Sequence, residues 1–193
     1  MIRHHPSGRL APWRACLVAG AAFIAGEGVA AAEGAPIADG AVKMAIVYNL
    51  GKFIDWPAGA FAGTSAPFTL CVLGPTDRIR DGLDAIESKS VHGRTLTVRQ
   101  VVRSGEFPGC QILYLVDPEA RRLQEQLSAA HALGILTVSD AEHFAEDGGG
   151  VALLLVENRV RFAVNLNATQ AANLRISSEL LHLAQHVIGA PRT

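Results

Sequence analysis

The feature that most restricts the fold is a series of short apolar runs: FTLCVL at 68–73, QILYLV at 111–116 and ILTV at 135–138. Runs this short, rich in β-branched and aliphatic side chains, read as strands covered on both faces, not as buried helices. Between them lie helical segments. Residues 79–86 predict a short helix, and 119–131 a longer one, with Asp117 as N-cap and Pro118 at the first helical position. Residues 95–102 alternate well enough for another strand. Strands alternating with helices make a mainly parallel sheet. Runs at 151–156 and 160–166 add an antiparallel hairpin, turned by a three-residue loop, Glu157-Asn158-Arg159, with Asn158 or Arg159 at positive φ. A helix over 41–54, with Ile46, Leu50 and Phe53 on one face, stops at Pro57. A brief helix over 140–147 and a closing helix over 174–188 complete the pattern. The expected fold is α/β: a mixed, mainly parallel sheet flanked by helices, with a C-terminal β-hairpin and a final helix, in one domain over 41–190.

The first residues read as targeting. Arg3, Arg9 and Arg14 precede an apolar stretch at 15–25 (ACLVAGAAFIA), and Ala30 and Ala32 form an A-x-A site. The stretch is short for a membrane span, so a cleavable signal peptide over 1–32 is expected, with an uncleaved anchor as the alternative and 33–40 as a flexible leader. Cys16 precedes most of the apolar region, unlike a lipoprotein cysteine. Export places the remaining chain of about 160 residues, enough for a proper core, in an oxidising compartment such as a bacterial periplasm. It carries 14 basic and 17 acidic residues, which gives no electrostatic footprint for nucleic acid. Its two cysteines, Cys71 and Cys110, point to one disulfide, against a pair of buried free thiols.

Chemistry-bearing patterns are sparse. His182 and His186 stand four apart with Glu179 one turn earlier, but on a helix they fall on the solvated side, and no second cluster supplies further metal ligands. Gly148-Gly149-Gly150 precedes a strand, whereas a phosphate loop opens a helix, so a turn is the simpler reading. Ser139, Ser177 and Ser178, with His92, His131 and His143, sit in no nucleophile-elbow frame. The cysteines are too far apart for C-x-x-C chemistry, and nothing calls for a cofactor. The aromatic cluster Tyr48, Phe53 and Trp56 says more: Phe53 reads as core, while Trp56 beside Pro57 either packs inward or anchors a partner.

Three stretches together resemble the YfiR-like family of periplasmic proteins: YNLGKFIDWP (48–57); FTLCVLG (68–74) with GCQILYL (109–115) and ILTVSD (135–140); and ENRVRFAVNL (157–166) with LRISSELLHLA (174–184). The resemblance implies a periplasmic α/β protein that often dimerises. Such a protein represses an inner-membrane diguanylate cyclase through that enzyme's periplasmic sensor region, and an outer-membrane lipoprotein relieves the repression by sequestering it. It also implies a Cys71–Cys110 bridge. Some relatives carry a second cysteine pair near the glycine-rich segment, where this chain has Ala145 and Ala152.

On this reading the contact residues are Trp56 and Pro57, then Arg175, Ser177 and Ser178. Arg175 either pairs internally at a helix start or offers a bidentate grip on a carboxylate, and the serines either contact a partner or only pack the helix start. Two other functions stay open: a small-ligand sensor taking an aromatic or anionic metabolite near Arg175, and a hydrolase of unrecognised type.

Overall fold

The structure, a computed structural model, describes residues 39–57 and 59–189, all within one compact unit. The expected signal peptide and most of the leader lie outside the described residues. The elements run α1 (Asp39–Leu50), β1 (Ile54–Asp55), β2 (Phe68–Leu73), α2 (Arg80–Ile86), β3 (Ser90–Val91), β4 (Arg94–Val101), a 3-10 turn (Ser104–Glu106) and β5 (Ile112–Leu115). They continue with α3 (Ala120–Ala132), β6 (Leu136–Ser139), β7 (Val151–Val156), β8 (Arg159–Asn165), α4 (Leu166–Ala171), β9 (Arg175–Ile176), α5 (Ser178–Leu183) and β10 (His186–Ile188).

Eight strands form one sheet in the order β10-β8-β7-β6-β5-β2-β4-β3. Pairing is parallel except at β7–β8 and β3–β4. The mixed, mainly parallel α/β sheet expected from the apolar runs is therefore what forms. One face carries Met44, Val47 and Leu50 of α1 with Leu83 and Ile86 of α2, packed on Leu70, Val72, Ile112 and Tyr114. The other carries Leu123, Leu127 and Ala130 of α3 on Leu113, Leu115 and the disulfide. Because β2 and β5 are buried on both faces, their sequences run apolar without alternation.

Several boundaries depart from the sequence reading. The leader was to reach Gly40, yet α1 begins at Asp39. Gly40 is buried where α1 crosses α2, and a Cβ there would collide with the Arg78 carbonyl. Helix α1 ends at Leu50, not at Ile54: the chain turns through Gly51, Phe53 lies in a bend and Ile54 enters a strand. Asp117 sits at φ 44° and does not cap α3; Glu119 holds that position, with no side-chain cap bond. Residues 140–147 are successive turns and no helix, interrupted at His143 (φ 57°) and held by Lys43 Nζ donating to Asp140 Oδ2 at 2.7 Å. The β7–β8 loop has two residues, not three, since Val156 pairs with Arg159. Glu157 and Asn158 both take positive φ (48° and 59°), the type I′ geometry that matches strand twist.

The largest correction is at the C-terminus. The expected helix over 174–188 is instead a strand, a short helix and a second strand. Its last apolar residues, Val187 and Ile188, pair in parallel with Val164 and Asn165 on β8. His182 and His186 therefore share no helix.

The disulfide joins Cys71 in the middle of β2 to Cys110 just before β5, with Cα atoms 5.7 Å apart. β2 and β5 are direct neighbours, Cys71 aligned with Leu113, so the bridge clamps the start of one strand to the middle of the other.

Candidate functional site

A cleft of about 870 Å3 opens where the chain's two halves meet. Its frame is a two-stranded ribbon, β1 with β9, in which Ile54 faces Ile176 and Asp55 faces Arg175. That pairing brings Trp56 and Pro57 beside Arg175, although they lie far apart in sequence. The other walls are Leu166, Thr169 and Gln170 of α4, Asn173 and Leu174 after it, and Leu181 of α5. Helix α4 starts on Asn165, whose Oδ1 accepts from the Ala168 N–H at 3.1 Å while its Nδ2 donates to the Ala145 carbonyl at 2.7 Å.

Each predicted residue has a definite place. Trp56 is half-buried: its ring meets Phe68 edge-on at 5.0 Å, and its Nε1–H donates to the Gln111 carbonyl at 3.1 Å. The indole is thus held as a wall of the cleft. Pro57 lines the cleft and packs on Gly134, where a Cβ would come within 3.1 Å of its Cγ. Arg175 is exposed at the cleft, in β9 and not at a helix start, and forms no ion pair among the described residues. The two serines do not line the cleft. Ser177 is the N-cap of α5, its Oγ accepting from the Leu180 N–H at 3.2 Å, and its own N–H donates to the Phe53 carbonyl at 3.0 Å. Ser178 is exposed on the first turn.

The residue that sequence reasoning missed is Gln111. It is buried, and its Oε1 accepts from the Thr69 N–H at 2.7 Å while its Nε2 donates to the Ala60 carbonyl at 2.6 Å. Its carbonyl receives Trp56, so one glutamine ties β2, the 60s loop and the cleft wall together. Its only sequence signal is a lone polar residue at the head of an apolar run.

Other chemistry is subdued. The Ser139 hydroxyl donates to the Leu115 carbonyl and accepts from the Ala141 N–H. No hydrogen bond among the described residues joins a serine hydroxyl to a histidine ring, and no cluster of three His, Cys, Asp or Glu there is placed to hold a metal ion. Two side chains on or beside α3 have displaced pKa values. Glu119 is lowered by its hydrogen bond to Arg121 and by the charges of Arg121 and Arg122, and His131 is lowered by burial. Neither lines the cleft.

Fold, disulfide and cleft define the class: a disulfide-bonded α/β protein with a mainly parallel sheet and a cleft framed by the β1–β9 ribbon. The family model described as YfiR/HmsC-like matches residues 40–185, and the chain belongs to that family. No curated protein matches the sequence. Among solved structures, a conserved domain protein from Vibrio cholerae O1 biovar El Tor aligns at 11% identity and a TM-score of 0.41, covering 62% of this chain and 54% of that one. The ABC domain in complex with L-Trp from Streptococcus pneumoniae aligns at 12% identity and a TM-score of 0.41, covering 63% and 55%. This chain spans about half the length of each.

Proposed function

We propose that the mature chain is exported to the periplasm and acts there as a non-enzymatic regulator. It represses an inner-membrane diguanylate cyclase by binding the periplasmic sensor region, as a homodimer, until an outer-membrane lipoprotein sequesters it. Membership of the YfiR/HmsC-like family over residues 40–185 carries this reading. The Cys71–Cys110 bridge suits an oxidising compartment. Among the described residues no helix is long and apolar enough to cross a membrane. The mechanism is a population shift: a repressor holding one receptor conformation more tightly moves the equilibrium by its differential affinity, and a competitor reverses it by mass action. Calorimetry of the mature protein against the purified periplasmic region of the cyclase tests this. Saturable binding, with lower cellular cyclic di-GMP on co-expression, is the expected result; no binding and unchanged cyclic di-GMP contradict it.

The cleft supports a second reading, a small-ligand sensor. The Arg175 guanidinium, which forms no ion pair among the described residues, stands beside the half-buried indole. The walls mix Leu166, Leu174 and Leu181 with Thr169, Gln170 and Asn173, a setting that suits an aromatic carboxylate gripped by a bidentate pair. Aromatic carboxylates should raise the melting temperature of the wild type and not of Arg175→Ala. Equal shifts in both proteins remove Arg175 from the site.

A further inference from the structure

The β7–β8 hairpin has an open outer edge. The Asn165 N–H donates to the Gly150 carbonyl at 2.9 Å, which sets the ladder: residues 159, 161, 163 and 165 direct their backbone groups to β7, and 160, 162 and 164 direct theirs outward. Strand β10 begins its pairing only at Ala163, and Gln185 N–H reaches the Phe162 carbonyl at 2.8 Å. That leaves the Phe162 N–H and both backbone groups of Val160 without a backbone partner among the described residues.

The side chains along this edge are patterned. Val160 and Phe162 are partly buried on the α1 face of the sheet, and Leu155, cross-strand from Val160, is 69% exposed. On the opposite face Arg159 and Arg161 are both exposed, with no ion pair among the described residues. Unpaired backbone groups on an edge strand are a template for an added strand.

The arginines decide between occupants. If a second copy of this chain pairs antiparallel with Val160 against Val160, Arg159 of one copy faces Arg161 of the other. One register further on, Arg161 faces Arg161. Like charges directly opposite destabilise a sheet pair, so either register is disfavoured. A strand with acidic residues at alternate positions meets the arginines favourably, and apolar residues between them cover Val160, Phe162 and Leu155.

We infer that this edge binds an extended segment of a partner protein in which acidic and apolar residues alternate, docking by strand addition. The inference rests on the preceding reading only in that the protein works by binding another protein. It places any homodimer contact elsewhere on the surface.

The test uses capped peptides of sequence Glu-Val-Glu-Val-Glu and Lys-Val-Lys-Val-Lys, with amide signals of the full mature protein followed by NMR. The acidic peptide should shift and protect the Val160 and Phe162 amides, and bind about tenfold tighter than the basic one at low salt. Arg159→Glu/Arg161→Glu should reverse that preference while melting like the wild type. No response to the acidic peptide overturns the proposal, leaving the arginines as a guard against self-pairing. Equal response to both peptides also overturns it, as does protection that grows with protein concentration alone. Cyclase repression is measured separately. Repression retained in the double variant sinks the edge proposal only, whereas repression absent in the wild type with intact peptide binding sinks the cyclase reading only.

Discussion

The two ends of the sheet are finished in opposite ways. At the β4 end, β3 covers only Arg94 and Thr95, but the chain returns to close much of the remainder. Glu106 Oε2 accepts from the Val102 N–H at 3.1 Å, and Glu87 Oε1 lies 3.5 Å from the Val98 nitrogen. The loop supplying Glu106 is itself fastened. Arg99 Nη2 donates to the carbonyls of Pro108 (2.8 Å) and Glu106 (3.2 Å) and rests against both disulfide sulfurs. At the β8 end, β10 covers the base and stops, leaving the hairpin tip with backbone donors unpaired among the described residues, exposed Leu155 and two arginines. An edge closed by a stapled loop is structural; one left open and charged is available. In a protein read as a regulator, that asymmetry separates the part that holds the fold from the part that meets a partner.

The comparison can be broken most forcefully at the staple. Cys71→Ser with Cys110→Ser removes a cross-link spanning 39 residues and should cost about 3–4 kcal/mol in urea unfolding. Amide protection should fall over residues 103–110 and not in β8. Equal loss at both ends would show that the disulfide supports the whole sheet. Next is the base of β8. Asn165→Ala leaves the Ala145 carbonyl and the Ala168 N–H unpartnered in a buried site, an expected loss of about 2–3 kcal/mol. Arg99→Met keeps the stem and removes the carbonyl bonds, and because Arg99 is exposed its cost should be nearer 1 kcal/mol. At the open end, Arg161→Glu should change unfolding free energy by less than about 0.5 kcal/mol.

One prediction concerns pH. Burial holds the His131 pKa below the usual 6.5. The unfolded state therefore binds more protons as pH falls below that value, so stability is full above it and declines through the window beneath until the folded pKa is reached. His131→Gln should flatten the melting temperature against pH in that acid range. An unchanged slope would place the acid sensitivity elsewhere.

Much of this asymmetry was hidden in the sequence, for physical reasons. Strands β2, β5 and β6 were legible because full burial writes continuous apolar runs, and two cysteines in a chain read as exported pointed to the bridge before their neighbourhood was known. The closing segment misled because Leu180, Leu183, Ala184, Val187 and Ile188 fit a helical period, while the pairing of β10 with β8 is non-local and overrode it. The cleft was legible only in its ingredients. Trp56, Pro57 and Arg175 were singled out separately, but their meeting depends on a ribbon of two-residue strands, too short to leave a periodic signature. Ser177 and Ser178 drew attention as contacts, and Ser177 proves to be a helix cap. The open edge leaves no local signal at all, since it depends on where β10 stops.

Hydrogen exchange of the free protein tests the contrast between the two ends most directly. Val160 and Phe162 amides should exchange within about tenfold of an unstructured peptide, and the Val102 amide should be protected by a hundredfold or more, on the order expected for an edge donor held within a stable unit. Val160 and Phe162 protected as strongly as Val102 would mean that the edge is already filled, and would contradict the account.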